Sequence, residues 1–259
     1  MAMEGKHHRT KYAYGIACCR INSTTNLPEI LLIQKRSTHA FVTFILSCNI
    51  IKNREKLRKL FDNMTLQEKR DILSLDYDTL WTRITRIPNK DNDPSDSYSL
   101  DSWSGFMQRK IYFETTYKQD IRLLQRLMSG TRSILAPWDI PKGRRKKDTE
   151  KNFDVALREF SEETGGTIAN ITPFLQCTPI VSSYIDSKCL FYNTFFIAAS
   201  ADPKWNPVVT FNDNDTAEIQ DIQWFSIARL KALDNAKHHM RLVELVSLIL
   251  TKFKKGRLA

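Results

Sequence analysis

The chain has 259 residues, 42% of them hydrophobic, and carries 39 Lys and Arg against 29 Asp and Glu, a formal net charge of +10. That length buries one good core and a second, smaller one, and so basic a balance favours a polyanionic partner, either nucleic acid or an acidic membrane surface. No run approaches the roughly 18 to 20 apolar residues of a membrane span, the N-terminus lacks an apolar signal core, and five cysteines (Cys18, Cys19, Cys48, Cys177, Cys189) without a C-x-x-C pair read as reduced, intracellular usage with no zinc site expected.

Tyr12 to Ile21 and Glu29 to Gln34 are β-like runs separated by the turn formers of residues 22–28, and they predict a hairpin. From about Asn53 the period becomes helical, with Leu57, Leu60, Phe61 and Met64 on one face, then Leu73, Tyr77, Leu80, Ile84 and Ile87. Residues 88–105 form a polar loop. Phe106 to Met128 returns to helical spacing through Phe113, Tyr117, Ile121 and Leu124. Residues 50–133 therefore read as a helical insertion, between 1–49, the hairpin part of the main domain, and 134–259, its remaining core. Arg54, Lys56, Arg58, Lys59, Lys69, Arg70, Arg83 and Arg86 lie among the apolar positions of the insertion, and one of its faces is expected to grip RNA phosphates. Packing on a hydrophobic surface is the plainer use of such helices.

Residues 158–165 read R-E-F-S-E-E-T-G. On a helix Glu159 lies beside both Glu162 and Glu163, so three carboxylates can converge on one hard divalent cation. Phe153, Ala156, Leu157, Phe160 and Thr164 occupy an adjoining arc that anchors the helix to a core. Arg158, four residues before Glu162, compensates part of the charge. Further on, Ile171 to Val181, Leu190 to Ala199 and Ile219 to Phe225 predict strands. Ala236 to Lys255 predicts a closing helix, apolar through Met240, Val243, Val246 and Ile249. Strands on both sides of the acidic helix imply an α/β/α sandwich. Trp138, Tyr184 and Phe191 are aromatic planes suited to stacking on a base, although such residues are more often core. The five histidines are too scattered to form a ligand set.

The segment from Gly143 to Gly166 resembles the Nudix box, in which a glycine opens a loop, a glutamate follows, and an Arg-Glu-x-x-Glu-Glu-x-Gly helix comes seven residues later. Glu150, Arg158, Glu159, Glu162, Glu163 and Gly165 match in register. Six residues rather than five separate Gly143 from Glu150, and Gly166 stands where an aliphatic residue is usual. The approach Trp138-Asp139-Ile140-Pro141-Lys142-Gly143 looks like that of mRNA-decapping Nudix enzymes. Tyr14 to Arg20, Glu29 to Arg36, the insertion with Asp62-Asn63-Met64-Thr65, and Ala217-Glu218-Ile219 are similar to the decapping enzymes of large cytoplasmic DNA viruses, the African swine fever virus type.

This resemblance implies an α/β fold, a Nudix α/β/α sandwich with a mixed sheet plus an α-helical insertion. It implies cleavage of the pyrophosphate of the mRNA 5′ cap, releasing m7GDP and 5′-monophosphate RNA in the host cytoplasm, with Mg2+ or Mn2+ as cofactor. Glu159 and Glu163 are then the expected direct ligands, with Glu162 completing the shell or accepting the water proton. Glu150 is a further candidate ligand and Glu218 a candidate additional base. Lys142 is expected at a substrate phosphate or the leaving group. Arg144, Arg145, Lys146, Lys147, Lys254 and Lys255 are expected at RNA phosphates. Two other readings stay open: hydrolysis of inositol pyrophosphates or nucleoside diphosphates by the same machinery, and a catalytically silent RNA-binding module.

Overall fold

The computed structural model describes residues 9–85, 102–186, 189–209, 218–233 and 237–256. The chain divides into two compact units. One comprises Met1–Gln34, Trp138–Thr210 and Ile219–Ala259, the other Lys35–Pro137 with Phe211–Glu218.

The first unit is built on a mixed sheet. β1 (Arg9–Ile21) and β2 (Pro28–Lys35) form the expected antiparallel hairpin, with Cys19 opposite Ile30. Its turn is closed by the Asn22 side chain, which accepts the N–H groups of Thr24 and Thr25 at 2.9 and 3.0 Å. Asn26 takes φ +53 there, a left-handed value that Asn tolerates better than most residues. The strand order is β3 (Trp138–Asp139), β2, β1, β7 (Cys189–Ser200), β5 (Ile171–Pro173); β4 (Lys142–Gly143) pairs with β1, β6 (Ile180–Asp186) with β7 and β8 (Ile219–Ser226) with β2. β1 and β7 run parallel and the other registered pairs antiparallel.

Strand alternation distributes the core between two faces. Tyr14, Ile16 and Cys18 of β1 pack with Val155, Ala156 and Phe160 of α7 (Asn152–Thr164) on one face. Ala17 and Cys19 pack on the other with Leu230 of α8 (Ile227–Lys231) and with Leu242, Val246, Ile249, Leu250 and Phe253 of α9 (Lys237–Gly256). Helices cover both faces, as the sandwich requires. Two details differ from expectation. The run Ile171 to Val181 is not one strand: Pro173 and Pro179 remove ladder donors, and the Cys177 N–H turns back to the Phe174 carbonyl at 2.9 Å. Met240, expected on the apolar face of the last helix, is 55% exposed.

The second unit is helical: α1 (His39–Ser47), α2 (Arg54–Phe61), α3 (Leu66–Ser74), α4 (Tyr77–Thr82), α5 (Trp103–Phe113) and α6 (Ile121–Met128). Its core is aromatic, centred on Phe44, Phe61, Tyr77, Trp81, Phe106 and Phe113. The unit begins at Lys35 rather than residue 50, because α1 gives Phe41, Phe44 and Ile45 to this core. The single period expected from Phe106 to Met128 is interrupted by a π-helical turn, Glu114–Lys118, and restarted by Asp120, whose carboxylate accepts the Leu123 N–H. Arg86, Ile87 and residues 88–101 of the expected polar loop lie outside the described residues. No helix among the described residues is long and apolar enough to cross a membrane.

Candidate active site

Helix α7 carries the glutamates. It ends at Gly165, which takes φ +67, the left-handed conformation that favours glycine at a helix C-terminus. A Cβ on the next residue, Gly166, would crowd the Phe160 and Trp205 rings, so the aliphatic side chain usual at this point has no room here.

Arg158 is the hub. Its Nε meets Glu150 Oε1 at 3.2 Å, and its Nη1 meets Glu159 Oε1 at 2.7 Å and Glu162 Oε2 at 3.1 Å. Its Nη2 donates to the Arg144 carbonyl at 2.9 Å. One guanidinium thus orients three carboxylates and fastens the basic loop. Glu150 completes that fastening, since its Oε2 accepts the N–H groups of Lys146 and Lys147 at 2.5 and 3.2 Å. The Lys146 N–H and then the Lys147 N–H and Arg158 hold the Glu150 carboxyl below the usual range. Lys146 also reaches Glu162, Nζ to Oε1, at 2.8 Å.

Glu159 and Glu163 differ from their neighbours in environment. Glu159 is partly buried with its carboxyl laid against Gly143, where any Cβ would overlap it. Burial pushes its pKa up, and Arg158 opposes the shift. Glu163 is 7% exposed, and its Oε2 accepts the Lys142 N–H at 2.9 Å. α7 is thereby tied to β4, which pairs with β1 through Tyr14 and Gly15. The Lys142 ammonium is held by Asp139, the residue three earlier.

The remaining candidates fall in different places. Arg145 bonds Asn152 and lies over the Tyr14 ring, 5.3 Å from its centroid. The Arg144 and Lys147 side chains are exposed, as are Lys254 and Lys255 at the end of α9. Glu218 belongs to the second unit, where its carboxylate meets Lys35 Nζ at 2.7 Å. Trp138 packs edge-on to Phe225, centroids 4.7 Å apart, as a core residue. In the helical unit Arg54, Lys56, Arg58, Lys59 and Arg70 are exposed, whereas Lys69 is buried, bonding Thr131 and Arg132, and Arg83 pairs with Asp71. The last two hold the unit together rather than widening a basic face.

Four carboxylates (Glu150, Glu159, Glu162, Glu163) against two cations (Arg158, Lys146) leave a formal charge of −2 in this cluster. Among the described residues no three Asp, Glu, His or Cys form a ready metal cage, because Arg158 and Lys146 engage the carboxylate oxygens. The donor set nevertheless fits a divalent cation: the oxygens are hard ligands, the residual charge matches, and Gly143 leaves the Glu159 carboxyl room that a side chain would fill. The motif gave the glutamates; the Asp139–Lys142 pair had only its i, i+3 spacing as a signal.

The pattern of the NUDIX domain matches residues 113–246. Over 224 residues the chain is 32% identical to the mRNA-decapping protein g5R of African swine fever virus (isolate Warthog/Namibia/Wart80/1980), an overlap spanning 83% of this chain and 84% of that protein. It is 30% identical over 234 residues to the mRNA-decapping protein g5R of the isolate Pig/Kenya/KEN-50/1950, spanning 88% of this chain and 89% of that protein.

Proposed function

Because the chain belongs to the Nudix family, we propose that it is the hydrolase of an mRNA 5′ cap, cutting the pyrophosphate to leave m7GDP and a 5′-monophosphate RNA. The observation that carries this reading is the arrangement of Glu159, Glu162 and Glu163 around Arg158 on α7, in a chain similar over most of its length to mRNA-decapping proteins. Glu159 and Glu163 would hold Mg2+ or Mn2+, with Glu162 beside them. Such a cation, when bound, neutralises charge developing on phosphoryl oxygens and acidifies water.

The chain's own residues supply position and charge. Arg158 fixes the rotamers of Glu159 and Glu162, which limits the reorganisation needed at the moment of reaction. Glu163 fixes the Lys142 backbone and so the loop at the site entrance. Glu162 is the group to accept a proton from the attacking water. It is more exposed than Glu159 or Glu163, and its partner Lys146 sits on an exposed salt bridge of the kind that contributes little and exchanges readily. Lys146, Arg144 and Lys147 then face the phosphates of the substrate, while Lys254 and Lys255 serve the RNA body. The place of action is the cytoplasm, where capped mRNA is found.

The test is cleavage of cap-labelled RNA by the purified protein with Mn2+ or Mg2+, beside Glu163→Gln and an uncapped RNA competitor. Release of m7GDP by the wild type, nearly abolished in the folded variant and suppressed by competitor, is the expected result. Full activity in Glu163→Gln would remove this site from the reaction. No release by folded, metal-loaded wild type would redirect the assignment to inositol pyrophosphates or free nucleotides.

A further inference from the structure

Lys142 meets two partners through two different groups. Its main-chain N–H donates to Glu163 Oε2 at 2.9 Å, and its ammonium is held by the Asp139 carboxylate, the two side chains being only 15% and 22% exposed. Both ends of this ion pair are anchored. On β3 the Ile140 N–H donates to Asp139 Oδ1 at 2.8 Å, and Asp139 stands opposite Ile33 of β2. On β4 Lys142 stands opposite Gly15 of β1, where any Cβ would overlap the Pro141 carbonyl and the Lys142 Cβ, so the corner is pressed onto the strand. Between the two, Ile140 and Pro141 are buried. In a tight corner the N–H of the fourth residue ordinarily returns to the carbonyl of the first. Here that N–H goes to Glu163, and the side chains of the same two residues close the corner instead.

We propose that Asp139 is a positioning residue: through the Lys142 ammonium it braces the corner that aims the Lys142 N–H at Glu163, and that ammonium serves the brace rather than the substrate phosphates. The proposal rests on the reading that Glu159 and Glu163 hold a divalent cation. Glu163 is 7% exposed, so the direction of the N–H it accepts decides how its carboxylate is presented. A phosphate could reach the Lys142 ammonium only by displacing a carboxylate that the Ile140 N–H already fixes. Taking one partner from a shielded pair leaves the other charge uncompensated. Arg144 and Lys147, two and five residues further on, are exposed and meet a phosphate without any such exchange. Lys142 therefore differs from the basic loop beside it, although composition counts all of these cations alike.

Mn2+ binding, followed by paramagnetic resonance without RNA, and the kcat and KM for cap-labelled RNA separate a brace from a phosphate hook. Asp139→Asn and Lys142→Met are each expected to weaken Mn2+ binding about tenfold, the scale for an outer partner of a metal ligand. Both should lower kcat while KM for RNA stays within about twofold, since no contact to the substrate has been removed. The double variant should be no worse than the weaker single one, because the two side chains act as one unit. Lys142→Arg, which keeps the pair and disturbs the fold least, should retain most of the Mn2+ affinity. Wild-type Mn2+ affinity in folded Asp139→Asn, or a raised KM with unchanged Mn2+ binding in Lys142→Met, would overturn the proposal. Since the metal is titrated without RNA, weakened Mn2+ binding in the variants of a protein that leaves capped RNA intact would support the brace while removing the decapping assignment.

Discussion

Arg158 shows why the glutamates could be read from the sequence while their division of labour could not. Their register marks them, but only the folded loop reveals that Glu150 takes two backbone N–H groups as well as the guanidinium. Its first role is to clasp the loop. A lysine keeps the charge of Arg158 but lacks the planar fork that reaches three carboxylates and a carbonyl. Arg158→Lys is therefore expected to lower the turnover of capped RNA by about 10- to 100-fold, the range for losing an orienting partner of a metal ligand, with an unchanged circular dichroism spectrum. Gly143→Ala tests the Glu159 cradle separately. Its Cβ would overlap the carboxyl, so Mn2+ binding measured by paramagnetic resonance should weaken sharply while the thermal midpoint moves little. Mn2+ affinity equal to wild type would show that the carboxyl binds from another position. The thiols belong to the same scale: burial pushes Cys18 and Cys48 up to about 12, so both should resist a thiol reagent in the folded protein.

Among the elements, the helices of the second unit were legible as a period but not as the separate pieces seen among the described residues, because their breaks are made by side chains that meet only in three dimensions. Glu68 is the clearest case. It is 4% exposed and accepts the Thr38 N–H at 2.6 Å, the Thr38 hydroxyl at 2.9 Å and the Thr65 N–H at 2.8 Å. It therefore joins the N-caps of α1 and α3, and Glu68→Ala should destabilise the protein to urea by about 2–4 kcal/mol, several bonds to one buried carboxyl being lost. The π-helical turn acts similarly. Glu114 accepts the Tyr77 N–H at the start of α4, and Lys118 donates to the Ile72 and Leu73 carbonyls near the end of α3. Burial pushes the Glu68 carboxyl above its usual range, opposed by the Thr38 and Thr65 N–H groups. The folded state thus keeps this proton at a pH where the unfolded chain has lost it. The contribution is full below the unfolded pKa and is lost as pH rises through the folded one. The stability of wild type relative to Glu68→Gln should accordingly fall as pH is raised from about 4 to about 7. A constant difference across that range would contradict the shift.

At the scale of the whole molecule, charge was the property that composition exposed most directly and placed least well. A count of +10 does not say which cations are available, and the structure removes several from consideration: Lys69, Arg83, Lys118 and Lys142 are engaged by protein oxygens. The division at Lys35 and Pro137 also changes how the helical unit should be tested. Excision at residues 50 and 133 would leave α1 behind with Phe41 and Phe44 stripped of their core, so charge reversal within the intact chain is the cleaner route. Arg54, Lys56 and Lys59 lie exposed on one short helix. If they face RNA, each phosphate they neutralise releases condensed counterions, and for a single strand the slope of log affinity against log salt changes by roughly 0.7 per contact. Replacing all three by Glu should therefore flatten the slope by roughly 2 and weaken binding of a long uncapped RNA. An unchanged slope would assign the helices to packing alone, and the RNA contacts would then fall to Arg144, Lys147 and the end of α9.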